Sequence, residues 1–137
     1  ISFSDDLLNW KEHHLLAQPH FDWEYKKIGG STPPVRTKDG WLTLYHGVDE
    51  NNVYRTGAML LDIKNPRKVL ARAPKFVMEP EYDYEKRGLM PDVVFPTGNV
   101  VIDGTLFVYY GAADKRIVVA TVKLKDLLKY LDTFSTK

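Results

Sequence analysis

The chain has 137 residues, 44% of them apolar and 27% charged, an ordinary balance for a globular unit facing water. Nineteen basic against eighteen acidic residues leave a formal net charge of +1, which excludes the strong field of a nucleic-acid or anionic-membrane binder. Without cysteine, disulfides, thiolate nucleophiles and cysteine metal sites are excluded together, and no apolar run approaches the roughly 20 residues of a membrane helix.

Ile1 to Leu16 reads as the closing strand of a repeat followed by a link. Within it, Ser4-Asp5-Asp6-Leu7-Leu8-Asn9-Trp10 fits S-x-D-L-x-x-W, a turn capped by an aspartate and followed by a packed tryptophan. His13, His14 and His20 follow at a spacing that matches no metal-ligand pattern, so exposed loop histidines and no metal are expected. Phe21 to Tyr25 is a short aromatic loop that places Trp23 against a sheet.

From Lys27 to Val48 the chain runs K-I-G-G-S-T-P-P-V-R-T-K-D-G-W-L-T-L-Y-H-G-V. Gly29-Gly30 and Pro33-Pro34 exclude a helix, the first pair entropically and the second by lost donors and ring clashes. Asp39-Gly40 predicts a hairpin with a tight primed turn, since both residues tolerate positive φ. Trp41 to Tyr45 follows as a strand, and His46-Gly47 marks where the chain leaves the sheet. Val53 to Ile63 supplies outer strands, which bounds a first unit at about residues 27–70.

Residues 71–91 read as a long connection in which Pro80 argues against a helix. Its Glu79, Glu81, Asp83 and Glu85 suit a solvated loop, or else carboxylates flanking a sugar. A second unit spans about 93–131, with Leu124 to Leu131 as a short amphipathic helix or a final strand.

The two units repeat one another. Asp39 to Gly47 aligns without a gap on Asp103 to Gly111, an offset of 64, and Asp6 to Lys11 echoes Asp62 to Arg67 at an offset of 56. Repeats of this length, built of short strands and turns, predict an all-β chain holding about two blades plus a strand of a β-propeller. A propeller ring needs about four to eight blades, so the expectation is the C-terminal part of a single propeller domain in a longer protein. Gly29-Gly30-Ser31-Thr32 lacks the spacing and following helix of a nucleotide loop, which leaves only a smaller anion held by side chains.

The run K-I-G-G-S-T-P-P-V, together with L-Y-H-G-V at Leu44–Val48, Y-R-x-G-A at Tyr54–Ala58, V-V-F-P-T-G at Val93–Gly98 and Y-Y-G-A-A-D at Tyr109–Asp114, resembles glycoside hydrolase family 130, the β-mannoside phosphorylases. The resemblance covers nearly the whole chain. It implies a five-bladed propeller with its site on the central axis, a β-mannoside oligosaccharide and inorganic phosphate as substrates, and inverting release of α-mannose 1-phosphate. No cofactor is implied beyond phosphate as co-substrate. Carried over by motif, Lys27, His46 and Tyr54 would bind phosphate and Asp114 would bind hydroxyls of the mannosyl ring. No stretch matches the family's catalytic aspartate or its phosphate-binding arginines, so the acid is expected in blades preceding this chain, and the chain alone is expected to be inactive. A cytoplasmic location is expected. No nucleic-acid or membrane partner is expected, and a homo-oligomer is compatible.

Each residue also has a plainer role: Lys27 a surface lysine, His46 a strand cap, Tyr54 a packed aromatic, Asp114 a turn stabiliser. The competing functions are a β-mannoside hydrolase of the same family, in which water replaces phosphate, and a non-catalytic sugar-binding propeller. Retention of Lys27, His46 and Tyr54 argues against the hydrolase, because water needs no cationic cradle.

Overall fold

A computed structural model of the chain describes residues 1–135 and contains two antiparallel sheets. The first comprises β1 (Lys27–Gly30), β2 (Val35–Arg36), β3 (Trp41–Val48), β4 (Tyr54–Leu61) and β5 (Val69–Arg72). β1 and β2 both pair with β3, so together they act as one inner strand interrupted at residues 31–34. Glycine and proline impose that interruption. The second sheet is β6 (Val94–Ile102), β7 (Thr105–Ala112) and β8 (Arg116–Lys123), and the helix α2 (Leu124–Asp132) follows it. These sheets are two blades of a β-propeller.

Alternation along the strands builds the core. Leu42 and Leu44 of β3 lie on one face and meet Leu106 and Val108 of β7, with Leu127 and Leu131 of α2 closing the side. Each such leucine contributes about 1.5–3 kcal/mol by leaving water. The other face of β3 carries Tyr45, which packs with Met59, Leu61 and Trp23 of a one-turn 3₁₀ helix, Asp22–Glu24. Trp23 therefore lies against the sheet as expected. Leu124–Asp132 takes the helical one of its two expected forms.

Three local expectations change. β3 does not end at Tyr45 but continues through His46 to Val48, because Gly29 of β1 pairs opposite His46 and keeps the ladder intact. Asp39-Gly40 does not form a two-residue primed turn. Arg36 pairs with Trp41 across a four-residue loop, in which the Thr37 hydroxyl accepts from the Asp39 and Gly40 amides. Asp103-Gly104 is the primed turn, with φ of 47° and 70° between paired Ile102 and Thr105. The connection after β5 also contains one helical turn, α1 (Asp83–Lys86), which Pro80 precedes without interrupting.

The ungapped alignment of the two units is likewise one residue out. Buried Glu24 accepts at Oε1 from the Tyr45 hydroxyl at 2.7 Å and at Oε2 from the amides of His20 and Phe21. Buried Glu85 repeats this with the Tyr110 hydroxyl at 2.6 Å and the amides of Glu81 and Tyr82. Tyr45 thus corresponds to Tyr110, an offset of 110 − 45 = 65 rather than 64. The structure confirms the echo at 56: Asp6 accepts from the Leu8 and Asn9 amides, and Asp62 from the Lys64 and Asn65 amides. Trp10 beside the first of these turns is not packed but exposed.

Candidate functional site

Pairing across β1, β3 and β4 fixes the frame. Lys27, Val48 and Tyr54 stand in one row, and Gly29, His46 and Thr56 in the next, so all six lie on one face of the first blade. That face looks toward the second blade. There β6 supplies Phe95, whose ring lies 4.6 Å from the His46 imidazole and 6.3 Å from the Tyr54 ring. The Lys27 ammonium sits 5.3 Å from the Tyr54 ring centroid, and His46 stacks on Tyr54 at 6.0 Å. The three side chains assigned to phosphate by motif therefore converge.

Asp114 approaches the same place from the other blade. It occupies the three-residue turn between β7 and β8, with φ of 50° following Ala113 at 49°. Two successive non-glycine residues in the left-handed region are strained, and such strain concentrates at functional positions. A cavity of about 250 Å³ opens between the blades, lined by Asp114, Tyr54, Phe95, Met90 and Val93. His46 and Asp114 do not sit just past the ends of equivalent strands. At the corrected offset the counterpart of Asp114 is Asp49, since 49 + 65 = 114.

The two aspartates behave differently. Asp49 accepts from Arg55 at 2.7 Å and from the amides of Asn51 and Val53, and these bonds hold its carboxyl below the usual range despite burial. Among the described residues no hydrogen bond or ion pair engages the Asp114 carboxylate, the Lys27 ammonium or the Tyr54 hydroxyl. His46 is buried, its Nδ1 lying 3.2 Å from the Ser31 hydroxyl. Burial first, and the Lys27 charge second, hold its imidazole below its ordinary value. The site thus keeps His46 toward the neutral form rather than supplying a ready imidazolium. An electropositive patch with spare donors faces one unpaired carboxylate.

The other carboxylates raised by the sequence do not flank a sugar together. Glu85 is consumed in its buried cap, Glu79 pairs with Arg55 at 3.2 Å, and Glu81 and Asp83 are exposed. His13 engages the Ser2 hydroxyl, and among the described residues no cluster of histidine and acidic side chains has the makings of a metal site. Sequence reasoning passed over Phe95, Met90 and Ser31 as site residues. Phe95 and Ser31 belong to V-V-F-P-T-G and K-I-G-G-S-T-P-P-V, but only the packing of one blade on the other shows what they touch.

The family model described as β-1,4-mannooligosaccharide phosphorylase matches residues 1–133. A 1,2-β-oligomannan phosphorylase of Thermoanaerobacter sp. is 50% identical over 93% of this chain and 43% of its own length. The solved β-1,2-mannobiose phosphorylase from Listeria innocua, in complex with β-1,2-mannobiose, superposes with a TM-score of 0.91 at 39% identity, over 96% of this chain and 38% of that one. A further solved chain superposes at 0.81 with 27% identity over 90% of this chain; its description concerns family members that are glycoside hydrolases of β-1,2 mannosidic linkages in Candida mannan. The chain spans about two fifths of the length of these relatives.

Proposed function

The chain belongs to glycoside hydrolase family 130, and from that membership we propose that it forms two blades of a five-bladed mannoside phosphorylase. Inorganic phosphate is the co-substrate, and α-mannose 1-phosphate is released with inversion. The observation that carries phosphate over water is the cradle itself. An ammonium and a phenol that have no polar partner among the described residues share one face with a stacked imidazole, and phosphate needs that set of donors. Water as nucleophile would leave Lys27 without a purpose on this face.

In this mechanism Lys27, Tyr54 and His46 bind and orient phosphate for attack on the anomeric carbon. Charge-assisted hydrogen bonds hold it in line, which supplies positioning and neutralises charge between two anionic oxygens and their surroundings. Asp114 accepts from hydroxyls of the mannosyl ring across the cavity, with Phe95 and Met90 forming its apolar wall. Glu79 and Glu85 are paired elsewhere, and Asp114 is assigned here to the mannosyl hydroxyls rather than to protonation of the leaving oxygen. The general acid comes from another blade.

β-1,2-Linked mannosides are the first substrates to test, because the relatives of highest identity quoted above carry names for that linkage. The test is the product: mannose 1-phosphate formed only with phosphate present supports the proposal, whereas free mannose at an equal rate without phosphate revives the hydrolase.

A further inference from the structure

His46 lies in a seat that the residues after Lys27 build for it. A methyl group added to Gly29 would stand 2.5 Å from His46 Cε1 and 2.8 Å from Nε2, so the imidazole rests directly on the bare glycine. Phe95 covers the ring from the second blade at 4.6 Å, and the Ser31 hydroxyl meets Nδ1 at 3.2 Å. Ser31 is itself fixed. The next residue, Thr32, is buried, and the Asn99 side-chain amide of β6 donates both to its hydroxyl and to the Pro33 carbonyl at 3.1 Å. The break between β1 and β2 thus has a use: it lifts the chain off the ladder where a hydroxyl is needed beside the ring.

A hydroxyl suits that place in both charge states. It donates to Nδ1 of a neutral imidazole and accepts from Nδ1–H of an imidazolium. Alanine would do neither and would leave a buried N–H unpaired on protonation, at a cost comparable to a lost hydrogen bond.

We propose that Gly29 and Ser31 are the positioning residues of His46, Gly29 as the floor under its ring and Ser31 as the acceptor for Nδ1–H, so that the ring becomes doubly protonated as phosphate binds and donates to it through Nε2–H. The idea rests on the phosphate site proposed above. Binding is then accompanied by uptake of one proton at His46, taken from monobasic phosphate or from solvent. The charged and titratable groups facing the ring are Lys27 from β1 and Tyr54 from β4; β6 presents only the uncharged Phe95, and Asp114 lies beyond Tyr54 across the cavity. Lys27 opposes the imidazolium until the anion neutralises it, which ties protonation to occupancy.

The experiment compares the protein carrying this chain with its Ser31→Ala, Ser31→Thr and Gly29→Ala variants. Titration of the His46 imidazole by NMR, with and without inorganic phosphate, is read beside phosphate and mannoside KM values. Phosphate should raise the His46 midpoint in the parent. Ser31→Ala should shift the midpoint without phosphate, shrink the response to phosphate, and raise the KM for phosphate about tenfold with the mannoside KM little changed. Ser31→Thr should restore all three, and Gly29→Ala should displace the ring and behave like Ser31→Ala. A folded Ser31→Ala protein with unaltered His46 titration and phosphate KM overturns the proposal. If Ser31→Ala alters the ring while phosphate affects neither protein, the seat stands and phosphate as its ligand is refuted.

Discussion

Replacing Lys27 by alanine removes an ammonium that has no carboxylate partner among the described residues, so little folding energy goes with it. On the proposed role, what goes is a charge-assisted bond to phosphate, about 1.5–3 kcal/mol. The KM for phosphate should rise roughly ten- to a hundredfold while that for the mannoside moves little. Asp114→Ala should do the reverse, costing a similar factor in kcat/KM for the mannoside; unchanged kinetics would leave it a turn residue. His46 adds a pH signature. Because the folded ring titrates below 6.5, the unfolded chain takes up the proton first as the solution is acidified. Stability contributed above about pH 6.5 is lost as pH falls toward the folded value, and phosphate should oppose that loss. Urea midpoints of the parent and a His46→Gln variant, measured on both sides of that range, should converge at acid pH.

At the level of elements, the paired Glu–Tyr contacts tie each blade to the segment that precedes it. Tyr110→Phe leaves a buried Glu85 oxygen without its hydroxyl donor and should destabilise the protein by about 1–3 kcal/mol in urea unfolding, with kinetics preserved in the folded fraction. Tyr45→Phe should cost less at the carboxylate, because Arg72 also donates to both Glu24 oxygens at 2.8 Å. The sequence carries this pairing in Phe21-Asp22-Trp23-Glu24 and Tyr82-Asp83-Tyr84-Glu85, but the two Asp-Gly pairs, which turn the chain differently, are the stronger local signal. A slip of one residue reverses every side chain in a strand, so aligning those pairs put Tyr45 on Tyr109, whose side chain faces the opposite way. The strands themselves were legible, since alternation and Gly/Pro breaks are local. The partnership of Glu24 with Arg72, 48 residues away, is not, and neither is the covering of His46 by Phe95 from another sheet.

Across the molecule, rotation from one blade to the next puts similar residues to different uses. Asp49 and Asp114 occupy corresponding turns, yet Arg55 holds one and the other has no partner among the described residues at the cavity between blades. Lys27, His46 and Tyr54 come from one blade, Phe95 and Asp114 from the other, and the acid is proposed to come from neither. These 137 residues on their own should therefore show no phosphorolysis. Among the described residues no helix is long and apolar enough to cross a membrane. The most direct measurement incubates the protein carrying this chain with β-1,2-mannobiose, with and without inorganic phosphate, and identifies the sugar released. α-Mannose 1-phosphate formed in strict dependence on phosphate is the result expected of the cradle, and free mannose released equally well in its absence would contradict it.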